Sequence, residues 1–512
     1  MTSAQAPTGL NGLAEARAAL SAGRPALLWQ TVIADTLTPI AAAQRLIQPG
    51  RGDWLLESVE GGETRGRYSL IGIAPDLIFR AQGRSAEINR QWATDEAAFT
   101  PLAANPMTAL RQLVEECRIE PLPDGLPPAL ACLVGHFGYE CYGLVEDLPP
   151  PASDPLALPD MLFVRTSLIG VFDRLKDMLT IVAPLWPDAA ADADAAVARA
   201  EEMVEAALAR LFGAEVRRHQ PPEAVTEDIH YTPALPPERY ARMVAAAQDY
   251  IRAGDIFQVV LAQRFTAPFA LPPFALYRAL RRINPSPFLY FLDWPGFAVV
   301  GSSPEILVRV RDGDITIRPI AGTRPRGASD AEDFANRESL LADPKERAEH
   351  LMLLDLGRND VGRAAAAGSV RVTDSFTIEY YSHVMHIVSN VTGRLAAGKD
   401  ALDALFGGFP AGTVSGAPKV RAAEIIAELE PEVRGPYAGG IGYFAADGSM
   451  DSCIVLRTGV VKDGQLHVTA GAGIVADSNA ASEQAECEAK AGALLAAARE
   501  AVRVANEAGY GQ

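Results

Sequence analysis

Two kinds of chemistry-bearing residue stand out along this chain. One is the arginine-rich run R-P-I-A-G-T-R-P-R-G at 318–327; the other is glutamates one helical turn apart, Glu346 with Glu349 and Glu483 with Glu486. Arginine forks and glycine-exposed amides bind carboxylate oxygens without reacting with them. The first run therefore reads as a binding loop for a small anion where a strand empties into a turn, and its central Ala321 supplies no nucleophile. The glutamates suit a hard cation. One carboxylate from each of two helices, with water and substrate oxygens completing the shell, is how Mg²⁺ is commonly held. Taken singly, such a glutamate is more often a solvated helix residue or an i,i+4 partner of a lysine, as Glu486 is spaced to Lys490. Spacing alone does not say whether the two helices meet.

The elements around these residues are legible from their punctuation. Asp343, Pro344, Lys345 and Glu346 make a strong helix start, with a capping aspartate, proline at the first helical position and a glutamate three residues after the cap. The apolar run 351–354 on that helix is expected to enter the core. A second helix is expected from Ser482, in S-E-Q-A-E-C-E-A-K, directly after T-A-G-A-G-I-V at 469–475, whose glycines let a ligand approach the backbone. Asp312-Gly313 and Asp463-Gly464 tolerate the positive φ of two-residue turns, so 305–311 with 314–320, and 459–462 with 465–469, are expected as antiparallel hairpins. Long helices between hairpins imply an α+β fold with helices covering antiparallel sheets. Earlier in the chain, 67–73, 77–81 and 162–172 have strand character, and helices are expected near 39–46 and 107–117. Between Trp186 and Pro237 the composition turns first to a helix-like Ala/Asp/Glu/Arg run and then to a proline-rich stretch. This divides the chain into an N-terminal domain at 20–186, a helix and linker at 187–237, and a second domain at 238–505.

Bulk composition excludes several classes. A chain of 512 residues with 49% hydrophobic content supports large cores, and its net charge of -18 argues against nucleic acid or anionic membrane as a general partner. An anionic ligand must then be held by a local basic site in an acidic body. The longest apolar runs fall far short of a membrane span. The N-terminus, M-T-S-A-Q-A-P-T, has neither the basic nor the apolar region of a secretory signal, so the cytoplasm is the expected location. The 5 cysteines are scattered without a C-x-x-C pair, which argues against disulfides and a zinc site.

Taken in order, the 318–327 run, D-P-K-E-R-A-E-H-L-M-L-L-D-L-G-R-N-D at 343–360, H-V-M-H-I-V-S-N-V-T-G at 383–393, F-P-A-G-T-V-S-G-A-P-K-V-R-A at 409–422, Y-A-G-G-I-G-Y-F at 437–444 and T-A-G-A-G-I-V resemble the chorismate-utilising enzymes. Within them, the series is most similar to the large subunits of the anthranilate synthases. The resemblance runs from about Glu238 to the C-terminus, and L-L-E-S at 55–58 and G-R-Y-S-L-I-G at 66–72 extend it into the N-terminal domain. It implies the fold of that family and Mg²⁺ held by Glu349 and Glu486 against the ring carboxylate of chorismate, with Glu483 assisting through water. It implies Glu305 as the acid that protonates a departing hydroxyl, and His386 as a base or electrostatic partner near the C2 proton. Thr413 and Lys490 complete the implied catalytic set. Gly322, Thr323, Tyr437, Arg457, Gly471, Ala472 and Gly473 are implied to hold the carboxylates and the enolpyruvyl group.

The branches of the family differ at the attacking group. Members that add water carry a lysine where this chain has Gln258, and a neutral amide cannot deprotonate water at neutral pH. Aminodeoxychorismate synthases usually carry a lysine nucleophile where this chain has Ala321. Ammonia remains as an external nucleophile, giving anthranilate and pyruvate. Nothing in the chain reads as a glutamine amidotransferase, so a separate glutaminase subunit is expected to supply the ammonia, in a heterotetramer. The family resemblance also implies a pocket for L-tryptophan as feedback inhibitor, lined by Ser58 and by Pro287, Phe288 and Leu289 of N-P-S-P-F-L. Relatives often carry Tyr-Met at the last two positions, so this pocket is the more apolar. Two alternatives stay open at this stage: another amine-forming branch of the family, and a catalytically silent subunit that binds tryptophan or chorismate.

Overall fold

Proline and turn chemistry set the strand pattern of the second half. In the computed structural model, which describes residues 9–58, 66–127, 130–149, 153–187, 192–213, 229–380 and 384–507, both DG turns close antiparallel hairpins. Strand Ile306–Arg311 pairs with Asp314–Ile317, and Thr458–Lys462 with Gln465–Ile474. The first hairpin's return strand is shorter than expected. Pro319 has no amide hydrogen for a ladder, so the chain breaks there and resumes as strand Ile320–Pro325, and both pieces pair with Val384–Arg394. The 318–327 run is thus mostly strand, not loop.

The fold is α+β, with mixed helices and antiparallel sheet. Strands from the two halves of the chain are continuous with one another. Asp53–Glu57 pairs with Phe288–Trp294, Leu289 opposite Glu57, and Ala131–Phe137 pairs with Gly440–Ala445. Most of the apolar core is one cluster that includes Trp54, Phe163, Phe291, Trp294 and Phe409. A smaller cluster of Leu340, Met385 and Ile387 lies under the sheet face that carries the 320–325 strand. In the N-terminal half the strand Met161–Asp173 and the helices Pro39–Leu46 and Pro106–Glu116 fall where they were expected, while 67–73 and 77–81 run together as one strand, Tyr68–Gln82.

Helix Pro344–Gly362 starts as its residues dictate: Asp343 accepts from the amides of Lys345 and Glu346. The Glu346 side chain does not return to the cap, because Arg324 takes it at 2.9 Å. The run 351–354 does not enter the core as a unit. Four consecutive helical residues sweep about 300°, so Leu353 and Leu354 are buried, Met352 faces a cavity, and Leu351 is 57% exposed. The last helix, Ala480–Asn506, begins two residues before Ser482 because Asn479 caps it through the amides of Ala481 and Ser482. It packs on helices Pro237–Ala253 and Pro273–Ile283 and on strand Gln465–Ile474.

Candidate active site

The two glutamate-bearing helices border one cavity. It measures about 1150 Å³ and is lined on one side by Lys345, Glu349 and Met352 and on another by Ser482, Glu483, Glu486 and Lys490. Glu305, Gly322, Thr323, His386, Thr413, Tyr437, Arg457, Gly471 and Gly473 line the same cavity, as do Gln258 and Ala321.

Glu305 follows strand Phe297–Ser303 and is only 9% exposed. Thr413 Oγ1 donates to its Oε1 at 3.0 Å. Burial pushes the Glu305 carboxyl up to about 8, against the opposing pull of the Thr413 hydrogen bond and the Arg457 charge. A carboxyl in that state is a proton donor at neutral pH. Thr413 sits in the short 3-10 turn Gly412–Val414. Arg457 stands between strands Met450–Ile454 and Thr458–Lys462 at a φ of 47°.

His386 lies opposite Thr323 in the ladder formed by Ile320–Pro325 and Val384–Arg394, at a bulge made by Gly322 with φ 69°. Its Nδ1 is 2.9 Å from the Gly322 carbonyl oxygen and 3.1 Å from Thr323 Oγ1. A carbonyl only accepts, so Nδ1 carries the proton and Nε2 is the basic nitrogen. Burial, aided by Arg457, holds the ring below its ordinary pKa and so neutral, although the Gly322 bond works the other way.

Strand Gln465–Ile474 presents backbone to the cavity. A methyl on Gly473 would come within 2.7 Å of Gln258 Nε2, and one on Gly471 within 2.9 Å of the Tyr437 hydroxyl. Tyr437 is buried, and the Gly471 amide bonds its hydroxyl. Lys490 Nζ bridges Glu486 Oε1 at 2.7 Å and the Gly471 carbonyl at 2.9 Å, tying the last helix to that strand.

The chain is similar along almost its whole length to proteins of one kind. Residues 57–496 match the family of chorismate binding enzymes. The anthranilate synthase component 1 of Cereibacter sphaeroides is 52% identical over 490 residues, covering 96% of this chain and 98% of its own. The crystal structure of anthranilate synthase component I from Streptococcus pneumoniae superposes with a TM-score of 0.72 at 35% identity, covering 90% of this chain and 98% of that one. The chain belongs to the anthranilate synthase component I branch of the chorismate binding enzymes. The menaquinone-specific isochorismate synthase from Escherichia coli shares the fold at a TM-score of 0.68 and 19% identity, over 94% of this chain and 99% of that one.

The three arginines that the 318–327 run suggested for anion binding are placed elsewhere. Arg318 is paired with Glu379, Arg324 with Asp343 and Glu346, and Arg326 with Asp333, so protein carboxylates hold all three. The run contributes Ile320, Ala321, Gly322 and Thr323 to the cavity, and Arg457 is the arginine that lines it. The alternation of a strand that puts Gly471 and Gly473 in the cavity wall turns the Ala472 methyl into the core.

Ser58, Pro287, Phe288 and Leu289 lie elsewhere. Leu289 pairs with Glu57, so Ser58 and Phe288 are the next positions along that ladder; Pro287 and Leu289 are buried and Phe288 is half-buried. His383 of H-V-M-H lies outside the described residues. Phe257, Lys345, Asp477 and Asn479 line the cavity without any sequence signal of their own, except that 477–479 follow the glycine strand into the next helix.

Glu349 and Glu486 fit a divalent cation. Burial, and then repulsion from Glu346 and Glu486, raises the Glu349 pKa above its ordinary value, and a cation between the carboxylates relieves that repulsion. Among the described residues no group of three or more His, Cys, Asp or Glu is arranged to hold a metal. A divalent cation held by these two carboxylates alone would need its remaining ligands from water or a bound anion. Also among the described residues, no helix is long and apolar enough to cross a membrane.

Proposed function

We propose that this chain binds chorismate in the cavity and converts it, with ammonia, to anthranilate, pyruvate and water. The observation that carries the reading is Glu305, a buried carboxyl protonated at neutral pH beside Arg457, in one cavity with a neutral His386 and two facing glutamates. Arg457 holds a substrate carboxylate by a charge-assisted hydrogen bond, and the Tyr437 hydroxyl, whose oxygen accepts from the Gly471 amide, donates to the substrate. Ammonia adds at C2, the ring electrons shift, and Glu305 gives its proton to the departing C4 hydroxyl, which leaves as water. His386 Nε2 then takes the C2 proton as the C3–O bond breaks and the enolpyruvyl group leaves; His386 returns that proton to make pyruvate, and the surplus proton of the added ammonia returns to Glu305. Glu349 and Glu486 would hold Mg²⁺, with Glu483 assisting, and the ion would supply positive charge to balance the ring carboxylate.

The attacking group follows from what the cavity wall offers. Gln258 and Ala321 both line it, and neither supplies a base or a nucleophile. The ammonia comes from a glutamine amidotransferase subunit in a heteromeric complex. In support, all 5 cysteines of this chain are buried, and burial drives their thiols upward, Cys487 to about 11 and Cys117 to about 12, so none is an activated nucleophile. L-tryptophan acts as feedback inhibitor at Ser58, Pro287, Phe288 and Leu289.

The test is fluorescence detection of anthranilate from chorismate, Mg²⁺ and an ammonium salt at alkaline pH, with and without L-tryptophan. Anthranilate suppressed by tryptophan supports both sites. Chorismate consumed to another product overturns the choice of ammonia, and no consumption in the presence of the glutaminase subunit overturns catalysis.

A further inference from the structure

Arg434 is 5% exposed, lies outside the cavity lining, and donates from all three guanidinium nitrogens. Nε and Nη2 donate to the two carboxylate oxygens of Glu430 at 2.8 and 2.5 Å. Nη1 donates to the Val414 carbonyl and Nη2 to the Val260 carbonyl, each at 2.7 Å. Glu430 Oε1 accepts in turn from the Ala262 amide at 2.8 Å. The guanidinium also lies 4.6 Å from the Tyr139 ring and 5.6 Å from the Tyr437 ring. One planar group thus joins three parts of the cavity wall: the turn of Thr413 and Val414, strand Gln258–Pro268, and Tyr437.

The same residue is held from the N-terminal half. The Arg434 and Gly435 amides donate to the two oxygens of Glu140 at 2.7 and 3.0 Å, and the Tyr139 amide donates to the Gly435 carbonyl at 2.9 Å. Glu140 and Tyr139 open the 3-10 helix Tyr139–Leu144. Glycine is required at Gly138, where a methyl would come within 2.7 Å of the Gly435 carbonyl.

We infer that Arg434 is a positioning residue for Glu305. By fixing the Val414 carbonyl against strand Gln258–Pro268, it holds the Thr413 hydroxyl on the acid, and through Glu140 it ties that geometry to the N-terminal half. Arginine is needed because only a planar fork reaches a carboxylate and two carbonyls at once; lysine keeps the charge and loses the fork. The inference rests on the proposed function, since the acid's protonation is read from turnover.

The experiment is the pH dependence of kcat and KM for chorismate, expressed per un-ionised ammonia, in the full chain and in Thr413→Val, Arg434→Lys and the double variant. Glu305 acts protonated, so the wild-type rate falls as pH rises through about 8. Thr413 is bonded to the carboxylate and favours its charged form, so T413V moves that fall upward by about one pH unit. R434K is expected to give the same upward shift and about a tenfold lower kcat, with KM changed by less than about threefold. The double variant is expected to shift no further than T413V alone, because both act on one bond.

Should R434K not fold, Arg434→Met with Glu430→Met removes both charges together and leaves neither buried alone; the same shift is expected. An active wild type whose Arg434 variants keep the wild-type fall, or add theirs to that of T413V, overturns the inference alone. A wild type that consumes no chorismate overturns the proposed function and the inference with it.

Discussion

Glu305 shows at the scale of one residue what the sequence could and could not carry. Its motif marks it as a family acid, but a strand-end glutamate is ordinarily ionised. Burial is what raises its carboxyl toward the protonated form, and no local pattern reports burial. Glu305→Gln removes the proton donor while keeping the shape, and kcat is expected to fall by about 10²- to 10⁴-fold with loss of the alkaline fall; unchanged turnover would falsify the assignment. Stability should move the other way. Between the ordinary carboxyl value of 4.5 and about 8 the folded protein keeps a proton that the unfolded chain has released. Wild-type stability therefore declines as pH rises through that window, and the glutamine variant is spared the decline. Thermal unfolding of both proteins at pH 5 and pH 9 is the check: Glu305→Gln should gain on wild type at the higher pH. The family resemblance named Arg457, but local composition pointed to other arginines. Arg318, Arg324 and Arg326 stand together in sequence, yet Glu379, Asp343, Glu346 and Asp333 hold them, and Arg457 lines the cavity from a distant turn. Long-range ion pairing decides between such candidates, and a single sequence does not show it.

Among the elements, the DG turns and the Asp343 cap were legible, while the Asn479 cap, the break at Pro319 and the apolar run 351–354 were not. The DG turns and the Asp343 cap fall where local physics puts them. The 351–354 run misled because the helix rotates it through the core, the cavity and solvent in succession. The 320–325 strand was hidden behind Pro319. Its bulge now makes a definite claim about Gly322, which holds φ 69° with Glu346 Oε2 and a Leu340 methyl each 3.0 Å from where a Cβ would stand. Gly322→Ala pays in left-handed strain, about 1 to 2 kcal/mol, and pushes on the Arg324–Glu346 pair and on the carbonyl that orients His386. The variant is expected to lose kcat more than it raises KM, with a drop in unfolding midpoint. A fully active enzyme of unchanged midpoint would mean that the bulge tolerates a side chain.

For the molecule as a whole, composition suggested two bodies joined by a proline-rich linker, while the strand ladders and the main core run across that division. Glu57 stands at the crossing. It is 4% exposed, and its two carboxylate oxygens accept from Arg174 at 2.6 Å and Arg281 at 2.7 Å and from Tyr277 at 2.7 Å. Arg174 belongs to the N-terminal half; Tyr277 and Arg281 are on helix Pro273–Ile283 of the other. Ser58 follows Glu57 directly, and Phe288 precedes its ladder partner Leu289, so the proposed tryptophan segment hangs on this carboxylate. Glu57→Ala leaves two guanidinium groups facing each other without their counter-charge and a buried hydroxyl without its acceptor. The expected cost is about 3 kcal/mol, at the low end for a broken buried pair because both arginines keep some contact with water. If the halves are one cooperative unit, denaturant unfolding of the variant stays a single transition at a lower midpoint, followed alike by tryptophan fluorescence and far-ultraviolet circular dichroism. A first transition that removes only part of the signal, with ammonia-dependent turnover surviving it, would instead make the N-terminal half a separable body. Inhibition by tryptophan would then be expected to vanish at that first transition, before catalysis does.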